Sequence, residues 1–365
     1  MKKIEVKIPG SYYNIYLGKN IFKDLPGLMQ IHKLYKNIFL IVDSKVFELH
    51  RKSIFKFYNG LNSKKHLFVF EPTEKNKTLK SMNAIFSELL KNNFSRDSLI
   101  VAVGGGITGD IAGFAAAAFA RGIQFIQIPT TLLAMVDSSV GGKTGVNLGA
   151  TKNIIGAFYQ PKFVLIDTSF IKTLPKEEIV CGIGEIVKTG FLTGGKFFDK
   201  VKNGLPKLMK SDVNFTIGII EECVKFKAGV VAKDEKEVRG LRKVLNLGHT
   251  FAHALEVDLK HNIKHGQAVI VGLACALNLS NKIGLINDKN LAEYLAVLIK
   301  FRPHIALDIL NNKRVYEIMK RDKKNKDEKI KFVLLSGPGK IFVDVDAAKD
   351  DVIYALLNGT GYFAL

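Results

Sequence analysis

The sequence predicts an α/β half followed by a mostly α-helical half. Three observations carry this. Short apolar strands alternate with helix-like stretches as far as Asp167; a glycine cluster directly follows one of those strands; and beyond Ser169 apolar residues recur at helical spacing, with Pro or Gly between segments. With 365 residues each half can bury its own core, so domains are expected at 1–172 and 173–365.

The elements follow in order. "KIEVKI" and "YNIYLG" flank "PGS" and read as a hairpin. "NIFLIVD" is a buried strand, Lys45 to Tyr58 a helix, "HLFVFE" a strand and "KTLKSMNAIFSELLKNN" an amphipathic helix. "SLIVAV", "IQFIQI" and "KFVLID" are further strands, and "ITGDIAGFAAAAFARG" is a helix of small residues. Strands separated by helices imply a mainly parallel sheet. In the second half "PKEEIVCGIGEIVKTGFL", "DVNFTIGIIEECVKFKAGVVAKD", "HGQAVIVGLACALNLSNKIG" and "KNLAEYLAVLIKFR" read as helices, and "KIKFVLLSGPGKIFVDV" as a late hairpin. The short junction between the halves points to an interdomain cleft as the place for a ligand.

Composition narrows the function. A formal charge of +20 would suit a nucleic-acid binder. The lysines are scattered, however, and no basic finger or heptad-linked motif is present. The expected picture is a lysine-rich surface, some of whose cations serve an anionic small molecule, with no nucleic-acid partner. The longest apolar runs, "IAGFAAAAFA" and "AVIVGLACAL", fall short of the roughly 20 residues of a membrane span. No apolar run follows the basic residues at the start, so no secretory signal is read there. Cys181, Cys223 and Cys275 form no CxxC pattern, and reduced core thiols in a cytoplasmic protein are expected.

Three stretches bear chemistry. In "SLIVAVGGGITGD" a strand runs into Gly104, Gly106 and Gly109, which satisfy GxGxxG ahead of a helix. Such glycines let the backbone approach a pyrophosphate at a helix start. The acidic residue usual about 20 positions later is missing, and Asp43, ending "NIFLIVD", is the substitute for a ribose hydroxyl. The arrangement is therefore Rossmann-like rather than ordinary. "IPTTLLAMVDSSVGGKTGVNLGATKN" reads as a long polar loop, dense in hydroxyls and carrying Asp137, Lys143, Lys152 and Asn153. Finally, "NLGHTFAHALE" places Asn246, His249 and His253 at i, i+3 and i+7, on one face if all three are helical. A catalytic zinc takes three protein ligands and keeps an open position. His265 in "KHGQAV" and Glu185 in "GIGEIVK" supply further donors, and spacing leaves His253 and Glu185 as alternatives for the third ligand. Lys188 lies one turn after Glu185; with Lys227, Arg242, Lys143, Lys152 and Asn153 it suggests a substrate with several anionic groups.

Taken together, the chain resembles the 3-dehydroquinate synthases, members of the sugar phosphate cyclases, from about Tyr12 to Leu335. The motifs that carry the likeness are "GGGITGDIAGFAAAAFARGI", "QIPTTLLAMVDSSVGGKTGVN", "KNIIGAFYQP", "TLPKEEI", "GEIVK", "LNLGHTFAHALE", "HGQAV" and "RDKK". The resemblance implies an NAD-binding α/β domain, a helical domain binding Zn2+ (or Co2+), and a homodimer. It implies conversion of 3-deoxy-D-arabino-heptulosonate 7-phosphate, a phosphorylated sugar acid, to 3-dehydroquinate and phosphate. The steps are transient oxidation by NAD, phosphate elimination, reduction, ring opening and aldol closure.

By the same resemblance the metal ligands are Glu185, His249 and His265. NAD would touch Asp43, Glu74, Lys77, the loop of Gly105, Gly106, Ile107, Thr108, Gly109 and Asp110, then Thr130, Thr131, Lys143 and Lys152, and the turn of Phe170, Ile171, Lys172 and Thr173. Substrate would meet Asp137, Asn153, Lys188, Lys227, Arg242, Asn246, His253 and Lys323, with Arg121 reaching in from a partner subunit. Keeping Lys152–Asn153, Lys227, Arg242 and Asn246 favours a substrate bearing both carboxylate and phosphate over those of related cyclases. Three positions depart from the family pattern. Ala252 stands for glycine, and Gln267 for a glutamate beside His265. One extra residue in "DEKEVRGLR" leaves the acidic contact to Arg242 open between Glu235 and Glu237.

Overall fold

The computed structural model describes every residue except 10, 150, 261, 309, 321–329 and 365. By contacts the chain divides into two compact units, Met1–Leu174 with Val213–Lys236, and Pro175–Asp212 with Glu237–Leu365.

In the first unit the elements run β1 (Lys2–Ile8), β2 (Ser11–Gly18), α1 (Leu25–Ile31), β3 (Ile38–Asp43), α2 (Ser44–Asn59), β4 (Lys65–Phe70), α3 (Leu79–Lys91), β5 (Leu99–Gly104), α4 (Gly106–Ala118), β6 (Gln124–Pro129), β7 (Lys143–Leu148), β8 (Thr151–Phe158) and β9 (Phe163–Asp167). Seven strands form one sheet in the order β1-β2-β9-β6-β5-β3-β4. β1 and β2 are antiparallel, and the other pairs are parallel. Every residue of β3 and β5 is buried, as helices on both faces require, which explains why these strands read as unbroken apolar runs. On one face Phe39, Ile41, Ile100 and Ala102 meet Met82, Ile85 and Leu89 of α3 and Ile111, Ala112 and Ala115 of α4. At Gly109 a Cβ would lie 1.9 Å from Gln127 Nε2, so glycine is what lets α4 settle onto β6.

The strand order fixes where a ligand can sit. β3 leads outward to β4, and the chain then returns past β3 to β5, β6 and β9, so the order reverses between β3 and β5. A crevice outside the carboxyl ends of the strands opens at such a point. Asp43 and Gly104 end the two flanking strands, with a Cβ on Gly104 only 2.9 Å from that of Asp43. Thr130 and Thr168 follow the carboxyl ends of β6 and β9 on the same edge.

The second unit contains α5 (Lys176–Thr193) and α6 (Gly195–Met209). After these the chain revisits the first unit as α7 (Val213–Lys233). It then continues with α8 (His249–Asp258), α9 (His265–Lys282), α10 (Asp288–Leu298), α11 (Asn312–Lys320), β10 (Phe332–Gly337), β11 (Lys340–Val345) and α12 (Lys349–Gly361). α9 is the hub, packed by α5, α8, α10, α12 and β10. Its side chains are buried almost all round, as are those of α5 from Ile179 to Leu192. Glycine permits the close approach: a Cβ on Gly266 would lie 1.9 Å from the Cys181 carbonyl oxygen. Gly248, at φ +76°, turns the chain into α8 where a Cβ would meet the Leu273 nitrogen at 2.9 Å.

The structure departs from the sequence-based picture at three places. α7, grouped above with the second half, packs on β1, β2 and the 134–138 turn; its helical period was legible but not its partner. The polar loop assigned to 128–153 is broken up: Ala134–Ser138 is one helical turn, and β7 and β8 form an antiparallel ribbon. Its Gly and Thr content hid the strand pattern, because most of the ribbon's outer face is exposed or half-buried. Asn246 does not share a helix with His249, since a short 3-10 turn ends at Asn246 and Gly248 starts α8 afresh.

Candidate active site

Glu185 on α5, His249 at the start of α8 and His265 at the start of α9 converge within the second unit. Their donor atoms lie within 4.8 Å of one another, and among the described residues no other set of three His, Cys, Asp or Glu does so. His249 Nε2 stands 3.5 Å and His265 Nε2 3.4 Å from Glu185 Oε1. His253 lies one turn further along α8, its ring edge-on to His249 with centroids 5.4 Å apart, and is outside the cluster. Of the two donors that spacing left open, Glu185 is the one that groups with His249 and His265.

The electrostatics of the cluster follow from burial. Glu185 is 1% exposed, and burial alone would raise its pKa; Lys188 and the two imidazoles outweigh that and hold its carboxyl well below the ordinary range. Lys188 Nζ lies 2.5 Å from Glu185 Oε2 as a charge contact, while neither carboxylate oxygen has a hydrogen-bond partner of good geometry. Burial, reinforced by Lys188, pushes His249 down to about 4, so its imidazole is neutral at pH 7. His265 is desolvated too, yet Glu185 and Glu256 outweigh burial and hold its pKa up to about 10. A buried carboxylate with unsatisfied oxygens facing two imidazole nitrogens is a donor set that fits a divalent ion of the zinc type, with the proton that His265 otherwise carries released when the ion binds.

Within the second unit Arg242 is 2% exposed with Nε 3.7 Å from Glu237 Oε1, and within the first Glu235 accepts from Gln160 Nε2 at 2.9 Å. Glu237, one of the two acidic residues left open in "DEKEVRGLR", therefore does contact Arg242. The Gln267 side chain is bonded elsewhere: its Oε1 accepts from the Lys264 backbone N–H and its Nε2 donates to the His304 carbonyl at 2.7 Å. Ala252 is fully buried against Gly272. Lys323 lies outside the described residues.

The first unit gathers most of the remaining predicted residues. Gly105 caps α4, and Gly106 to Asp110 form its first turns. The Thr108 and Thr130 hydroxyls are buried without hydrogen-bond partners. Asp43 caps α2 by accepting from the Lys45 and Val46 backbone N–H groups. Lys77 is 4% exposed and donates to Asp110 Oδ2 at 2.5 Å and Asn153 Oδ1 at 2.6 Å. Asn147 ties this knot together: its Nδ2 donates to Glu74 Oε2 at 2.8 Å and its Oδ1 accepts from the Asn153 N–H. Sequence reasoning missed Asn147, because an Asn between strand residues gives no signal of its partners. Burial raises the Asp110 pKa despite Lys77.

Lys227 on α7 reaches Asp137, with Nζ 2.8 Å from both Oδ1 and the backbone oxygen. Lys143 and Lys152 lie on the ribbon, and Phe170 to Thr173 form the turn after β9, where Thr173 Oγ1 is 2.8 Å from His50 Nε2. Arg121 is exposed in a turn where Ala120, Arg121 and Gly122 all have positive φ. Left-handed conformations cost about 1–3 kcal/mol at residues other than glycine, so this turn is held by its surroundings.

The fold is shared with two solved NAD-binding synthases. A 2-epi-5-epi-valiolone synthase from Streptomyces hygroscopicus subsp. jinggangensis 5008, solved with NAD+ and Zn2+, superposes with a TM-score of 0.88 over 96% of this chain and 97% of that one, at 23% identity. A 2-deoxy-scyllo-inosose synthase solved with carbaglucose-6-phosphate, NAD+ and Co2+ gives 0.83 over 97% and 99%, at 24% identity. The sequence narrows this further. Residues 67–181 match the family model for the 3-dehydroquinate synthase N-terminal region, and residues 182–325 that for its C-terminal region. The 3-dehydroquinate synthase of Shewanella halifaxensis (strain HAW-EB4) is 38% identical over 98% of this chain and 99% of its own length. The chain belongs to the 3-dehydroquinate synthase family. No helix among the described residues is long and apolar enough to cross a membrane.

Proposed function

We propose that the chain converts 3-deoxy-D-arabino-heptulosonate 7-phosphate to 3-dehydroquinate and phosphate, using NAD and a zinc or cobalt ion. The observation that carries the metal reading is the convergence of the Nε2 atoms of His249 and His265 on the buried Glu185 carboxylate, whose oxygens have no hydrogen-bond partner. In this reading those three residues hold the ion. The loop from Gly105 to Asp110, with Asp43, Glu74, Lys77, Thr130, Thr131, Lys143, Lys152 and the 170–173 turn, holds NAD at the carboxyl edge of the sheet. When bound, the ion supplies Lewis-acid stabilisation and the cofactor a reversible hydride acceptor.

The other residues bind and orient. Lys188, Lys227, Arg242 and Lys323 offer cations, and Asn153 and Asn246 amides, to a substrate bearing a carboxylate and a phosphate. Held in one pose, the substrate needs little further ordering before each step. Asp137 positions the Lys227 ammonium. His253 is assigned to the phosphate, where its imidazole can hold a proton on the departing oxygen. Arg121, exposed at its strained turn, is assigned to the neighbouring subunit of a homodimer. Three buried free cysteines suit a cytoplasmic location.

The test is turnover of heptulosonate 7-phosphate by the metal-loaded protein with NAD far below substrate concentration. Many equivalents of phosphate per NAD, with no net rise in reduced cofactor, are expected. Reduced cofactor accumulating in step with product would identify a dehydrogenase instead, and no phosphate release would reject the reading.

A further inference from the structure

We infer that Glu256 is a positioning residue that fixes the His265 imidazole for metal binding, a role nothing in the sequence assigned to it. The inference rests on the metal reading above and concerns what orients the ligands. Both histidines present the same nitrogen to Glu185, namely Nε2. A neutral imidazole gives that nitrogen to a cation only if its other nitrogen carries the proton, which is best held where it has somewhere to donate. For His249 that acceptor is the backbone: Nδ1 lies 3.2 Å from the Leu247 carbonyl oxygen, two residues earlier, at the turn into α8. His265 opens α9, and its Nδ1 instead faces Glu256 Oε2 at 3.5 Å.

Glu256 has the properties such a partner needs. It is 5% exposed, so its carboxylate is not spent on solvent. It stands two turns beyond His249 on α8, so one helix supplies both a ligand and the group that orients another ligand. The position that sequence comparison favoured for a carboxylate beside His265 is 267, yet Gln267 is engaged in capping α9 and in bonding the His304 carbonyl. Loss of a charge at 267 therefore leaves the outer carboxylate in place, because Glu256 provides it. Such a carboxylate makes its imidazole a better donor to a cation, and losing one typically costs about 10–100-fold in metal affinity.

The test compares wild type, Glu256→Gln and Glu256→Ala. Zinc affinity is measured by competition with a chromophoric chelator, and the exchange of the His265 Nδ1–H with water by NMR of the zinc-loaded protein. Glu256→Ala is expected to bind zinc about 10–100-fold more weakly and to exchange the His265 Nδ1–H faster, while His249 keeps its own rate. Glu256→Gln, which retains an acceptor oxygen without the charge, should fall between in both readouts; being close in shape, it also serves if the alanine variant fails to fold. Affinity within twofold of wild type in a folded variant, with the His265 Nδ1–H exchange unchanged, would overturn the proposal while leaving the metal reading intact. A wild-type protein that takes up no stoichiometric zinc would overturn both.

Discussion

Glu185 and Lys188 lie on a helix whose side chains are buried without a break from Ile179 to Leu192, and their partners come from two other helices far along the chain. The Gly104–Asp110 loop is built differently, from one strand end and the helix that follows it, with its polar neighbours on adjacent strands and a surface ribbon. The contrast is between a site made by helix packing and one made by local backbone geometry. A cluster of the first kind can bury charge because its members neutralise one another; pulling out any one leaves the rest exposed to the full desolvation cost. A loop of the second kind keeps its backbone donors whatever its side chains are, so single changes there should cost less.

This difference can be broken experimentally, and the largest effect is expected at Glu185. Glu185→Gln removes one ligand charge and strands Lys188 in an apolar helix. Activity should fall by more than the about 100-fold that marks loss of an outer-shell partner, with metal content near zero by elemental analysis. NAD affinity measured by calorimetry should stay close to wild type. Equal loss of NAD binding would show that the two regions are not energetically separate.

Next comes Gly266→Ala. Its Cβ would collide with the Cys181 backbone, which cannot swing aside, so the cost should reach the upper part of the about 1–3 kcal/mol range for overpacking. Gly109→Ala, whose obstacle is the flexible end of Gln127, should be milder in the same thermal denaturation series. A reversed order would undo the claim that helix packing is the stricter constraint.

The smallest effect is expected from Lys77→Met. It leaves Asp110 and Asn153 without their shared donor, but the Asp110 side chain keeps 21% exposure and can hydrate. Urea denaturation should show the low end of about 1–3 kcal/mol, with weaker NAD binding and unchanged metal content. Loss of metal in this variant would again argue against independence.

Much of this was legible in the residues. The strand order, most of the helices, the glycine turn and the late hairpin follow from apolar periodicity and from Gly and Pro placement, which are local properties; the helices at Leu25–Ile31, Gly195–Met209, Asn312–Lys320 and Lys349–Gly361 were not read. The ribbon at 143–158 was not, because its pairing satisfies the backbone while leaving side chains half-exposed, so no alternating apolar pattern marks it. Nor was the break between Asn246 and His249, where the three-residue spacing fits a helix that Gly248 interrupts.

By itself, then, the sequence determined the fold class, the family and the inventory of donors, since each depends on residue type and near-neighbour spacing. Tertiary structure alone decided that Glu185 rather than His253 groups with His249 and His265, and that Glu256 stands against the second nitrogen of His265. The physical reason is that these choices turn on a few ångströms between side chains from helices distant in sequence. Those distances are set by how closely the helices pack at Gly248 and Gly266, not by any periodicity along the chain.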